Sequence, residues 1–159
     1  MGIDIGERYE RGLALKKAGL YNAAIGQFEE AALDPTVALK AYAQIGVCYK
    51  FVGRNQEAVT AFQKALRASA GSVKETIQIL YVLGRTLESL GRMDQTLEAY
   101  RWIRREDPGY RDVAARIERL SSGAPGSTAS GKKSRSTSGY DLIGGLLNSW
   151  QDLLRTPNR

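Results

Sequence analysis

Apolar side chains recur at three-and-four spacing through most of the chain, the signature of helices with one buried face. Tyr42, Ile45, Gly46 and Tyr49 stand at i, i+3, i+4 and i+7, and Leu80, Leu83, Gly84 and Leu87 repeat the spacing. Each set is followed by a second helical face: Ala58, Val59, Phe62, Ala65 and Leu66 after the first, and Thr96, Leu97, Tyr100 and Ile103 after the other. An earlier copy of this second face is Ala24, Ile25, Phe28, Ala31 and Ala32. Between the paired faces lie Gly19, Gly53 and Gly91, where a residue free of steric strain at positive φ can end one helix and start the next.

The segments GLALKKAGLYNAAIGQFEEAAL, GVCYKFVGRNQEAVTAFQKAL and GRTLESLGRMDQTLEAYRWI therefore align as three copies of one unit, their leading glycines Gly12, Gly46 and Gly84 being 34 and 38 residues apart. A glycine midway along the first helix and an alanine early in the second remove bulk where two helices cross. The ring of Phe28, Phe62 or Tyr100 then fills the gap. In this small, aromatic, small order, and in the closing pairs Asp34-Pro35 and Asp107-Pro108, the chain resembles the tetratricopeptide repeat family, whose unit is a 34-residue helix-turn-helix. The resemblance covers about Glu7 to Pro108. It implies an all-α fold: a right-handed superhelical array of three helix-turn-helix repeats, about residues 5–35, 39–70 and 73–108. Departures are Arg8 and Arg11 on the first helix, extra residues near Gly71 to Glu75, and Thr96 and Ile103 where the other copies carry small residues.

After Pro108, Val113, Ile117 and Leu120 form one stripe backed by Arg111, Arg116, Glu118 and Arg119, which predicts a capping helix over 110–121 that closes a domain of residues 1–121. From 122 to 139 the sequence is Gly, Ser and Lys-rich with no large apolar residue, which predicts a disordered linker. Apolar residues return in YDLIGGLLNSWQDLLR, residues 140–155. Wound as a helix, Leu142, Ile143, Leu146, Leu147, Trp150, Leu153 and Leu154 fall within an arc of about 140°. Gly144 and Gly145 each cost about 1 kcal/mol in a helix interior, so this short amphipathic helix is expected to form on docking.

Composition narrows the chemistry. The chain has 159 residues, no His and one Cys, so a His-based triad, a His general base and a Cys/His zinc site are excluded within it. No catalytic residue, metal or cofactor is expected, and Cys48, flanked by Ile45, Val47 and Tyr49, reads as a small buried side chain. The net charge of +6 is too small and too spread to indicate nucleic acid. GSTASGKK at 126–133 approaches a phosphate loop but lacks the Ser or Thr after its Gly-Lys and follows no strand. No run approaches the roughly 20 apolar residues of a membrane span, and a cytoplasmic location is expected.

The resemblance implies a concave wall built from the first helices. Residues there that the packing stripes leave over are Tyr9, Leu13, Lys16, Lys40, Ala43, Val47, Lys50, Tyr81 and Arg85, a mixture suited to a peptide with apolar anchors and acidic groups. Chaperone-binding members of the family hold a terminal carboxylate with a Lys and an Asn. Tyr9, Leu13, Ala43, Val47, Tyr81 and Arg85 stand in those places, so that clamp is absent. The expected role is a protein-interaction adaptor, not an enzyme, whose tail docks on a partner protein, on its own groove or on a second copy. A membrane-targeting tail is the alternative, ranked behind because its polar face lacks the usual Lys and Arg.

Overall fold

The computed structural model describes residues 4–68 and 71–123, and among them every element is a helix. In chain order these are α1 (Ile5–Lys17), α2 (Tyr21–Ala31), α3 (Ala38–Phe51), α4 (Asn55–Arg67), α5 (Val73–Ser89), α6 (Met93–Glu106) and α7 (Val113–Ser121). The chain divides into two compact units, one running to Ile79 and the other beginning at Leu80, so the division falls within α5.

Three turns join α1 to α2, α3 to α4 and α5 to α6 by the same backbone device. Gly19, Gly53 and Gly91 have φ of 79°, 79° and 74°, the left-handed region that L side chains enter only with strain. The Gly19 N–H donates to Lys16 O at 3.0 Å and the Leu20 N–H to Leu15 O at 2.9 Å. This Schellman pairing recurs as Gly53 to Lys50 and Arg54 to Tyr49, and as Gly91 to Glu88 and Arg92 to Leu87. The second helix then starts at once, with the N–H groups of Ala24, Ala58 and Thr96 donating to the carbonyls of Leu20, Arg54 and Arg92. None of these three starts has a side-chain cap.

In the first unit α1 packs on α2, α2 on α3 and α3 on α4. A Cβ placed on Gly12 would lie 2.6 Å from Phe28 Cε1, and one on Gly46 would lie 2.6 Å from Phe62 Cε1. No real contact is that short, so each first helix needs glycine where its hairpin's ring presses on the backbone. Ile25, Phe28, Ile45, Cys48 and neighbouring alanines form the core beneath, with Tyr9 and Leu13 packed at its margin. Arg8, an apparent misfit on α1, lies half-buried with Nη1 3.0 Å from Glu30 on α2. The residues before α5 form a reciprocal cap: Glu75 Oε2 accepts from the Ser72 N–H at 2.9 Å, and Ser72 Oγ from the Glu75 N–H at 3.2 Å. With that start, α5 reaches 17 residues against 13 for α1.

The second unit repeats the glycine contact, with a Gly84 Cβ placed 2.5 Å from Tyr100 Cε1. Its core holds Leu80, Leu83, Leu87, Tyr100, Trp102 and Ile103, and α7 packs on α6 with Val113 and Ile117 buried. The larger residues of this copy are accommodated: Ile103 is fully buried, and Thr96 is buried with its hydroxyl donating to Arg92 O at 2.8 Å.

Candidate functional site

The face of α1 and α3 in the first unit follows from the hairpin packing, which turns Gly12 and Gly46 inward and leaves other stripes of the same helices outside. Tyr9 is half-buried, its ring 5.5 Å from that of Phe28 and tilted by 60°. Burial pushes its hydroxyl above the usual tyrosine range, with Gln44 beside it partly offsetting and Glu10 adding to the rise. Lys16 Nζ donates to Gln44 Oε1 at 2.6 Å. Gln44 on α3 is thus a polar junction for two α1 side chains, and it was missed among the expected site residues. It shares the stripe of Lys40, Ala43 and Val47, at i+4 from Lys40, and that register is the signal that identifies it.

Leu13, Ala43, Val47 and Lys50 are half-buried, whereas Lys40 is exposed. Lys16 also lies close enough to Cys48 for its charge to act on the thiol, yet burial dominates and raises the Cys48 pKa. A buried thiol held protonated is no nucleophile. The face can therefore make apolar contacts through Leu13, Ala43 and Val47, and offers ammonium donors at its edges.

On α5 in the second unit, Tyr81 is buried and Arg85 is exposed. The Tyr81 hydroxyl donates to Asp112 Oδ1 at 2.8 Å, and its ring meets the edge of Tyr110 with centroids 5.6 Å apart. The guanidinium of Arg111 lies over both rings, 5.1 Å from Tyr81 and 5.6 Å from Tyr110. Arg111 has φ of 44°, an unfavourable left-handed conformation for a residue with a side chain. The lead-in to α7 thus covers Tyr81, while Arg85 faces solvent.

Beneath that cover lies a charge network. Glu88 Oε2 accepts from the Tyr100 hydroxyl at 2.9 Å and from Arg116 Nη1 at 3.0 Å, and Glu88 Oε1 accepts from Arg119 Nη2 at 2.7 Å. Arg116 Nε also donates to Asp112 Oδ2 at 2.8 Å. Burial and the neighbouring Glu88 carboxylate push the Tyr100 pKa far above the tyrosine range. Burial alone would raise Asp112, but the Tyr81 hydroxyl and Arg116 outweigh it and hold the carboxyl below its ordinary value. These groups join α7 to α5.

No group of His, Cys, Asp and Glu among the described residues could hold a metal ion. The expected tail segment, with Leu142, Ile143, Leu146, Leu147, Trp150, Leu153 and Leu154, lies outside the described residues. None of the described helices is long and apolar enough to cross a membrane.

Glycine-pinned helical hairpins of this kind define a class of helical-repeat protein. Residues 39–71 match the family model for the tetratricopeptide repeat. A crystal structure of MamA shares the fold with a TM-score of 0.64 at 20% identity, over 94% of this chain and 77% of that one. A second structure, of MamA protein, gives 0.63 at 19% identity over 98% and 78%. No curated protein matches the sequence. The repeats are those of a protein-interaction scaffold in general.

Proposed function

We propose that the chain is an adaptor whose first-helix face binds an extended or helical peptide and whose tail, residues 140–155, docks on a second surface. The peptide contacts are Tyr9, Leu13, Lys16, Lys40, Ala43, Val47 and Lys50 on α1 and α3. The observation that carries this reading is the α1–α3 face itself. Half-buried aliphatic side chains border a Lys16–Gln44 hydrogen bond there, outside the glycine–aromatic contacts that build the hairpin cores. Apolar anchors with a few placed polar groups are what peptide grooves use. The ligand's class follows from the lysines: apolar anchors interspersed with carboxylates.

A peptide-display selection against the full chain, followed by anisotropy titration, tests this. Selected peptides should be enriched in Asp and Glu beside apolar residues. Combining Lys40→Glu with Ala43→Glu should weaken them by about tenfold or more, a loss of about 1.4 kcal/mol, with an unchanged helical circular-dichroism signal. Peptides without acidic bias, or equal affinity for the variant, would remove the groove from consideration.

A further inference from the structure

Of the exposed large apolar side chains described in the first unit, Leu33 and Val73 stand apart, while Leu20, Phe51 and Val52 lie at one edge, where the α1–α2 and α3–α4 turns are. Leu20 is 56% exposed, Phe51 63% and Val52 37%, and the ring of Phe51 stacks on that of Tyr21 at 5.0 Å with 5° between planes. The stack joins the two turns into one apolar patch. The fold does not require it. At the position of Phe51 the other hairpins carry Lys17 and Ser89, and at that of Leu20 they carry Arg54 and Arg92, all with the same Schellman hydrogen bonds. Side chains that a turn does not need, exposed and contiguous, mark an interaction surface.

We infer that this turn edge, centred on Leu20, Tyr21, Phe51 and Val52, is the intramolecular docking site of the chain's own segment 140–155. The inference deepens the tail half of the function proposed above by naming its receptor. Three observations select this occupant. First, the segment carries seven large apolar residues within one helical arc, matching a receptor built of aliphatic and aromatic groups rather than of hydrogen-bonding ones. Second, 16 residues separate Gly123 from Tyr140, a tether of about 55 Å at full extension. Third, charge favours the pairing: the first turn of α2 has no acidic residue and α1 ends in Lys16 and Lys17, while residues 140–155 carry Asp141 and Asp152 against Arg155 alone. Being tethered, the segment needs only a weak intrinsic affinity to stay bound.

Hydrogen–deuterium exchange of the full chain tests the assignment. Amides of 140–155 should exchange about tenfold or more slowly than an unstructured peptide of the same sequence, equally at 1 µM and 100 µM protein (roughly chosen to span a hundredfold). In Leu20→Ser/Phe51→Ser that protection should disappear, and in Trp150→Ala the turn peptides around Leu20 and Phe51 should exchange faster. Both receptor changes replace exposed side chains, and Val52→Lys is a second receptor variant should the first lower the helical signal. Unprotected tail amides in the unaltered chain overturn the inference, as does protection that survives both receptor variants. Protection lost in Lys40→Glu/Ala43→Glu instead would place the tail on the α1–α3 face. Protection present only at the higher concentration would place it on a second copy. Failure here leaves the peptide selection on the α1–α3 face untouched, because that assay does not read the tail.

Discussion

Replacing Gly46 by alanine sets two effects of opposite sign against each other at one atom. In an unobstructed helix the change stabilises by about 1 kcal/mol, because alanine loses less backbone entropy than glycine. At Gly46 the new Cβ would sit 2.6, 2.7 and 2.8 Å from Cε1, Cζ and Cδ1 of Phe62. Ordinary carbon contact begins near 3.5 Å, so either the ring or the helix must give by most of an ångström. The ring cannot swing into solvent, since Phe62 is 1% exposed, and overpacking of this kind costs about 1–3 kcal/mol, against which the propensity gain of about 1 kcal/mol is set. Two structural facts favour the upper part of that range: three ring atoms are struck rather than one, and Phe62 is rigid beyond its two side-chain torsions. The net expectation is destabilisation by about 1–2 kcal/mol, lowering the melting temperature by roughly 5–10 °C in a thermal circular-dichroism scan. Gly26→Ala is the internal control. It lies in α2 with nothing within 4 Å of the added Cβ, so it should raise the melting temperature. Adding Phe62→Leu to Gly46→Ala should recover part of the loss, a coupling of opposite sign to the single change. A Gly46→Ala chain as stable as the parent would refute the hole-and-ring account of the hairpins.

Further outcomes follow from other parts of the molecule. Gly53→Ala meets nothing within 4 Å but must hold φ near 79°, so it should cost about 1 kcal/mol by urea denaturation, with Gly53→Asn costing less. Glu88→Ala removes the acceptor of Tyr100, Arg116 and Arg119 and should cost about 1–3 kcal/mol, seen first as faster hydrogen exchange over 113–121. Equal protection of α7 in that variant would mean that apolar contact alone holds it. Asp112 has a depressed folded-state pKa, so its contribution is present above the unfolded value of about 3.9 and is lost as pH falls through the lower folded value. Asp112→Asn should flatten the acid limb of the stability profile below about pH 4, and an unchanged limb would show that other carboxylates set it.

The hairpins were legible because their constraint recurs: a glycine seven residues before a turn glycine, and a ring nine residues after it, at Gly12, Gly46 and Gly84. What repeats announces its geometry; what occurs once does not. Gln44 acquires its role only from α1, where Lys16 donates to it and Tyr9 lies within its influence, and the pattern of α3 alone does not carry that. The cover over Tyr81 depends on Arg111 in a left-handed conformation, and no residue pattern signals that for arginine. Arg8 and Arg11, departures from the repeat pattern on α1, each find a carboxylate, Glu30 across the hairpin and Glu7 one turn back. The Ser72–Glu75 capping box has the S-x-x-E spacing of a helix start and lies within the residues that lengthen the third repeat.

The ring that fills each interhelical hole is Phe28, Phe62 and then Tyr100, so the third hairpin differs from its siblings at this position by one oxygen. That oxygen reaches Glu88, which in turn holds the two arginines of α7. Four residues after the leading glycine, where the third copy has Glu88, the first two have Lys16 and Lys50, which could not accept from a tyrosine or gather arginines. A single hydroxyl and its carboxylate therefore give the third hairpin an attachment for α7 that its siblings lack. Hairpins exchanged in order would keep their helices but lose that attachment, so the copies are alike as scaffolding and not interchangeable as a sequence of parts.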